Sequence, residues 1–253
     1  MTTTGKEFRA RVVGGAIHPQ ILFDRLVEPG DLPEPFRHRI AGWRSESASF
    51  RMNVALAELP DFACRPGTSP GPHHGAGILI APSLGYLDRA YTNTHTSGHS
   101  RSPVIELLIP STQDDSLAPR GAHVASLFCQ HFPRELADGR SWAEAKPGAI
   151  ETIVDTVTAY APNFRGAILG MQALSPEDLE QRFGLIGGDI FHGQMTLDQL
   201  YWSRPAMGYA SYRSPLRGVY LCASGAHPGG GVSGAPGHNA AQAMLADLRA
   251  GRV

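Results

Sequence analysis

The chain has 253 residues, 42% of them hydrophobic and 18% charged, which is apolar material enough for one large or two small cores. Its formal net charge of −1 gives no electrostatic reason to expect nucleic acid or an anionic membrane surface as a partner. Cys64, Cys129 and Cys222 are odd in number and form no C-x-x-C pair, which argues against a disulfide framework and structural zinc and for a reducing compartment.

The first residues lack the apolar core of a signal peptide, and no stretch approaches the roughly 18 apolar residues of a membrane span, so the expected location is cytoplasmic. Residues 8–13 read as a short strand, followed by Gly14-Gly15 and a helix near residues 18–27 that stops at Pro29-Gly30. Phe50, Met52, Val54 and Leu56 alternate with Arg51, Asn53 and Ala55, a period of two that predicts a half-buried strand. Further strands are expected at 77–81, 104–109, 123–130 and 167–172, with helices near 83–91, 148–159 and 175–183. The last of these opens on Ser175-Pro176-Glu177-Asp178, with a cap residue, a proline in the first turn and acids where the helix dipole favours them. Polar stretches at 65–72, 92–102 and 114–121 read as loops. A strand at 219–222 and a helix at about 234–249 close the chain. The expected class is α/β (α+β), with a mixed sheet and helices.

The turn between that last strand and helix carries the most chemistry. Gly229, Gly230 and Gly231 remove three successive side chains where the backbone enters the helix, so a flat or anionic ligand can lie against bare N–H groups. Gly229, Gly231 and Gly234 formally satisfy G-x-G-x-x-G, yet no second strand with an acid roughly 20 positions on follows them, as a dinucleotide unit requires. The segment therefore supplies one part of a cofactor site and no pocket for an ADP moiety.

Residues 221–241 of this segment closely resemble the C-terminal flavin-binding signature of the phytoene-dehydrogenase-related FAD oxidoreductases, in the branch of pyridine nucleotide-disulfide oxidoreductase domain-containing protein 2. Residues 183–200, Arg204-Pro205, Tyr212 to Pro215, Tyr160 to Phe164 and Pro72-His73-His74 resemble the same branch, so the likeness runs from about residue 10 to residue 248. Members of the family usually carry an N-terminal half that holds the ADP part of FAD, and this sequence begins after that half. The resemblance implies three segments: residues 1–15 ending an FAD-domain segment, a substrate domain at 16–215 and a C-terminal FAD-binding segment at 216–253 with a Rossmann-like strand and helix. The cofactor it implies is FAD, bound through Gly225, His227, Pro228, Gly229, Gly230, Gly231, Val232, Gly234 and Asn239. The partners it implies are a polypeptide carrying the N-terminal FAD-binding half, or a homo-oligomer, and a small, largely apolar substrate. An apolar strand at 219–222 without neighbours is a liability that such a partner would relieve.

Physical chemistry gives the same turn a task. Hydride arriving at flavin N5 builds negative charge around N1 and the C2 carbonyl, which the N-terminus of the last helix would stabilise. Asn239 could reach back toward a ribityl or backbone group, or be a solvated helix residue, and His227 could stack beside the ring or hydrogen-bond to it. Asp189 and His192, set among glycines, are the candidate catalytic residues as a proton-handling pair. The structural alternative has Asp189 capping a turn and His192 satisfying a buried carbonyl. Arg204 and Arg213 could hold a flavin oxygen, a carboxylate substrate, or simply Asp and Glu. His95 with His99 and His73 with His74 make poor metal pairs, and no metal site is expected. Ser233 fails the G-x-S-x-G spacing because Ala235 occupies the last position. Two functions follow: the C-terminal portion of an FAD-dependent oxidoreductase taking hydride from an apolar substrate, or a non-catalytic module that keeps the substrate-domain fold and works by protein association.

Overall fold

The computed structural model describes residues 3–46 and 48–253; residues 1, 2 and 47 lie outside the description, and with them the start of the expected 1–15 segment. Backbone contacts divide the chain into two compact units, one of Met1–Glu46 with Asp189–Val253, the other of Ser47–Gly188. The expected boundaries at residues 16 and 215 thus differ from the contact boundaries. Residues 16–46 and 189–215 fold with the two terminal segments because they build one core with them: Leu22, Phe23, Leu32, Phe36 and Ile40 pack with Ala206, Leu221 and Ala226.

In chain order the first unit opens with strand β1 (Val13–Gly15), one turn of π-helix at Ile21–Arg25 and helix α1 (Glu34–Ala41). Phe36 of α1 sits edge-on between Phe23 and Tyr209, at centroid distances of 4.9 and 4.7 Å. The expected helix at 18–27 is reduced to that π-turn, and α1 was not foreseen. The chain returns after residue 188 to close the unit with strand β7 (Val219–Leu221) and helix α7 (Ala235–Arg249). β1 and β7 pair in parallel, Val13 to Val219 through Gly15 to Leu221.

β7 is not the open strand expected from the sequence. On its other side Arg213 bridges Tyr220, with Ser214 N–H donating to Val219 and Leu221 N–H donating to Tyr212. A local return of the chain covers the edge, so Tyr220 and Leu221 are buried.

The second unit holds strands β2 (Ser49–Leu56), β3 (Ile78–Ile80), β4 (Val104–Leu108), β5 (His123–Gln130) and β6 (Ile168–Leu174). Its helices are α2 (Leu84–Thr92), α3 (Thr94–Ser97), α4 (Trp142–Tyr160), α5 (Phe164–Ala167) and α6 (Pro176–Phe183). The five strands form one sheet in the order β3-β4-β5-β2-β6, antiparallel throughout, with β2 and β5 paired over eight residues. Parallel and antiparallel pairing therefore both occur, in separate sheets. The alternation in β2 does what its period predicts: Phe50, Met52, Val54 and Leu56 are buried and meet Ala145, Ala149, Ile153, Val154 and Val157 from one stripe of α4.

α4 begins six residues before the expected position of 148. A capping box sets its start: Glu144 N–H donates to Ser141 Oγ at 3.3 Å and Ser141 N–H donates to Glu144 Oε2 at 2.9 Å. That reciprocal pair outweighs Pro147, whose missing N–H leaves one early carbonyl without its helical partner.

Because Ile153 is fully buried between sheet and helix, Ile153→Ala should lower the unfolding free energy by about 2–5 kcal/mol in urea titrations. Leu84→Ala, at an 85% exposed position, should change it by less than about 0.5 kcal/mol.

Candidate functional site

The turn between β7 and α7 folds as a glycine-lined rim around a cleft of about 440 Å³. Ile190, Phe191, Cys222, Ala223 and Ser224 line it together with Gly229 to Gly234, Pro236 and Gly237. Of the residues expected at a cofactor, the structure places Gly229, Gly230, Gly231, Val232 and Gly234 at this cleft, and not Gly225, His227, Pro228 or Asn239.

The glycines do two different jobs. A β-carbon on Gly225 would lie 2.6 Å from the Pro19 ring, on Gly229 2.7 Å from Met195 Sδ, and on Gly230 1.8 Å from Phe191 Cδ1. Gly225 and Gly230 are glycines because the Pro19 and Phe191 rings press on them, whereas Gly229 at its closest meets the flexible end of Met195 and owes its identity to a φ of 104°. Gly231 and Gly234 face open space, and their requirement is conformational, with φ of 132° and 72°. Val232 between them also has a positive φ of 54° and projects fully into solvent.

α7 starts without a side-chain cap. Ala235 N–H donates to Ser233 Oγ at 3.2 Å and His238 N–H to the Gly234 carbonyl at 2.9 Å. Pro236 has no N–H to satisfy, and among the described residues the N–H groups of Gly231, Val232, Gly234 and Gly237 find no acceptor in the chain. A 15-residue helix thus points an uncapped, partly positive end at the cleft. Ser233 Oγ serves that local bond as its acceptor.

Arg204 holds two of the lining segments, at Phe191 and Ser224. It is wholly buried, and its five N–H groups donate to five carbonyls: Nε to Ser224 at 2.8 Å, Nη1 to Gln194 and Gln199 at 3.2 and 3.1 Å, and Nη2 to Phe191 and Gly193 at 2.8 and 3.1 Å. Its guanidinium lies 5.1 Å from the Trp43 ring centroid. None of the three alternatives for Arg204, a flavin oxygen, a carboxylate substrate or an Asp or Glu, is met, because all its donors go to backbone carbonyls. Arg213 does take the acid partner anticipated for it, Asp247, at 2.6 and 3.0 Å.

Asp189 and His192 do not form the anticipated proton-handling pair. The two Asp189 oxygens accept from Phe191 N–H at 2.7 Å and Gly193 N–H at 3.1 Å, closing the turn as the structural alternative had it. Burial pushes that carboxyl above the usual carboxylate value, and the two N–H bonds and the Arg204 charge offset part of the rise. His192 meets Asp189 only through its backbone N–H, at 3.4 Å, and its ring Nδ1 is buried without a partner, so it does not satisfy a buried carbonyl either. Burial first, then the Arg204 charge, lowers its pKa. Asn239 donates to Tyr212 Oη at 2.9 Å, and the His227 ring lies 6.4 Å from Tyr201.

Phe191 is the site residue that sequence reasoning passed over. Its signal was present in the glycine-flanked 187–193 stretch, where attention went to the titratable neighbours. Elsewhere His99 stacks on Phe132 and bonds the Ser100 carbonyl, and no group of three metal-binding side chains exists among the described residues. The three cysteines are free, and among the described residues no helix is long and apolar enough to cross a membrane.

No protein-family model matches the chain. Over 250 residues it is 44% identical to pyridine nucleotide-disulfide oxidoreductase domain-containing protein 2 of Rattus norvegicus, covering 97% of this chain and 43% of that protein. It is 29% identical over 237 residues to a lycopene-forming phytoene desaturase of a Paracoccus species, covering 89% of this chain and 45% of that protein. A solved oxidoreductase of Methanosarcina mazei shares its fold, with a TM-score of 0.54 at 13% identity, over 94% of this chain and 43% of that one. The chain therefore spans somewhat less than half the length of these relatives, a share consistent with a C-terminal half.

Gly230→Ala should cost about 1–3 kcal/mol of stability through the Phe191 clash, and Phe191→Leu in the same chain should recover part of that loss in a double-mutant cycle. A second expectation concerns His18, which is buried, donates from Nε2 to Ser45 Oγ at 2.6 Å and accepts from Gln20 N–H at 3.1 Å. Burial, then the His192, Arg204 and Arg25 charges, hold it down to about 4 from an ordinary 6.5. The unfolded chain binds the extra proton between those values, so His18 stabilises the fold above pH 6.5 and that contribution fades as pH falls toward 4. The melting temperature should drop across this window, and His18→Asn should flatten part of the drop; an unchanged slope in the variant would refute the assignment.

Proposed function

We propose that this chain, similar along almost its whole length to the phytoene-dehydrogenase-related FAD oxidoreductases, is the flavin-closing and substrate-binding portion of such an enzyme. In this reading it is a cytoplasmic component that takes hydride from a carbon centre of a largely apolar substrate, while an N-terminal half on another polypeptide or on further chain holds the ADP end of FAD. The observation that carries the reading is the rim of the cleft. Gly231 and Gly234 offer open space, and free N–H groups at an uncapped helix end converge beside them.

Those residues fit the flavin end of FAD. About 440 Å³ lies within the roughly 300–1,000 Å³ common for small-molecule sites. Bound there, FAD would supply the hydride acceptor, with negative charge gathering on one edge of its ring. Gly231, Val232, Gly234 and Gly237 would present N–H donors to such an edge, and the α7 dipole would add its partial positive charge without reorganisation. Ile190 and Phe191 would supply an apolar wall that keeps water from the reacting face. No side chain of the cleft is a charged acid or base, which suits a reaction whose electrons leave with the flavin.

The test is flavin retention after desalting, with the chain co-expressed beside the part of the Rattus norvegicus relative that it does not match. The wild type should keep a structured visible band. Val232→Glu, at a side chain that projects into solvent beside the donors, should weaken retention about tenfold, or about 1.4 kcal/mol, while Val232→Lys should not. Equal retention by the Glu variant would count against charge stabilisation at this rim.

A further inference from the structure

Beside the cleft, residues 195–202 present an apolar surface that nothing in the proposed flavin chemistry uses. Leu197 is 85% exposed, Trp202 67% and Tyr201 56%, and Met195 is also exposed. Such large side chains, close together and facing solvent, are the composition of a docking surface rather than of an ordinary loop.

This loop is fixed and does not dangle. Gln199 turns inward, accepts from Arg44 N–H at 2.8 Å and donates to the Arg44 and Gln194 carbonyls at 3.0 and 3.2 Å. Arg204 grips the Gln194 and Gln199 carbonyls from beneath. Tyr201 has a φ of 52°, a left-handed conformation that is strained for an aromatic residue by about 1–3 kcal/mol. The surrounding bonds hold that strain, and the result is that both rings point outward. The one charged residue of the stretch, Asp198, is already paired with Arg44 at 2.6 Å, so the surface offers little free charge.

The patch is continuous with the cleft rim. Met195 Sδ packs on Gly229 of the rim, and Tyr201 lies 6.0 Å from Trp202 and 6.4 Å from His227, two residues before that glycine. The chain spans 43% of the Rattus norvegicus relative, so a large polypeptide accompanies the equivalent of this cleft there.

We propose that Tyr201 and Trp202, with Met195 and Leu197, form the docking surface for the polypeptide that completes the flavin site. This rests on the flavin reading above and names the place where the partner sits. The occupant is an uncharged, apolar face of the N-terminal half, with the two aromatic rings as its anchors.

The experiment is co-expression of the tagged chain with the portion of the Rattus norvegicus relative that it does not match, followed by measurement of co-purified partner and of flavin per complex. Wild type should bring the partner down with flavin, and Trp202→Glu should reduce the recovered partner at least tenfold, with Trp202→Phe restoring most of it. Leu84→Glu, exposed in the other unit, should have no effect, and circular dichroism of Trp202→Glu should match the wild type. A complex that keeps its flavin and ignores Trp202→Glu overturns the patch and leaves the flavin reading standing. A complex broken by Trp202→Glu but free of flavin supports the patch and overturns the flavin reading. If no partner is recovered, both fall. If sedimentation shows the chain alone dimerising through Trp202, the occupant is a second copy and the proposal is wrong.

Discussion

A single buried cation organises the first unit. Among the described residues the Arg204 guanidinium has no carboxylate partner within hydrogen-bond reach, and a charge taken out of water costs several kcal/mol unless its donors are met. Here five carbonyls meet them, at 2.8 to 3.2 Å. Burial draws its pKa down to about 10, with the Asp189 charge acting against the fall, and at neutral pH the group stays protonated. A lysine would bring three donors in place of five and leave carbonyls orphaned. Because the acceptors come from residues 191–199 and from Ser224, the cation ties the 191–199 loop to the strand end from which the glycine turn departs.

The glycine pattern follows from that tie. With Phe191 held by its N–H bond to Asp189 and its carbonyl bond from Arg204, its ring presses on Gly230 and a β-carbon there would collide. Pro19 does the same to Gly225. Two of the glycines, Gly225 and Gly230, therefore serve the packing of the protein's own rings. What remains for a ligand is narrower: Gly231 and Gly234, open and left-handed, with Val232 between them. A motif of small residues thus contains both a foundation and an opening, and only the contacts tell one from the other.

The fold was legible where patterning is local. β5 runs over residues 123–130 as its sequence suggests, and the alternation of Phe50 to Leu56 marked the buried face of β2. The Ser175 to Asp178 cap likewise placed α6 to within a residue. Misreadings arose where a local signal competed with another. Pro147 hid a capping box three residues upstream at Glu144, and the prolines at 33 and 35 disguised α1, whose buried stripe is only Phe36 and Ile40. The site was legible as a glycine turn before a helix, but not in its inner wall. Phe191 lies 39 positions from Gly230, and the acceptors of Arg204 lie in segments before and after it, so neither relation has a local signature. Asp189 and His192 drew attention as titratable neighbours, while the backbone claimed the carboxylate first.

The far end of α7 explains why its near end is free. Asp247 sits in the last turn, where an acid opposes the helix dipole, and it is buried. Arg213 binds both of its oxygens, Arg252 binds one at 2.6 Å, and Tyr220 Oη donates at 2.7 Å. The Arg213 bonds first, then the Tyr220 bond, hold the carboxyl far below the usual carboxylate range. Two arginines thus more than offset the unfavourable position, and through Tyr220 and Arg213 they lock the helix to β7 and its bridge. A helix anchored so firmly at its C-terminal end needs no cap at its N-terminal end to stay in place. The usual side-chain cap can be absent from Gly234, and the donors it would have occupied stay available to a ligand. Stability is concentrated at one end of α7, which leaves the chemistry of the other end unspent.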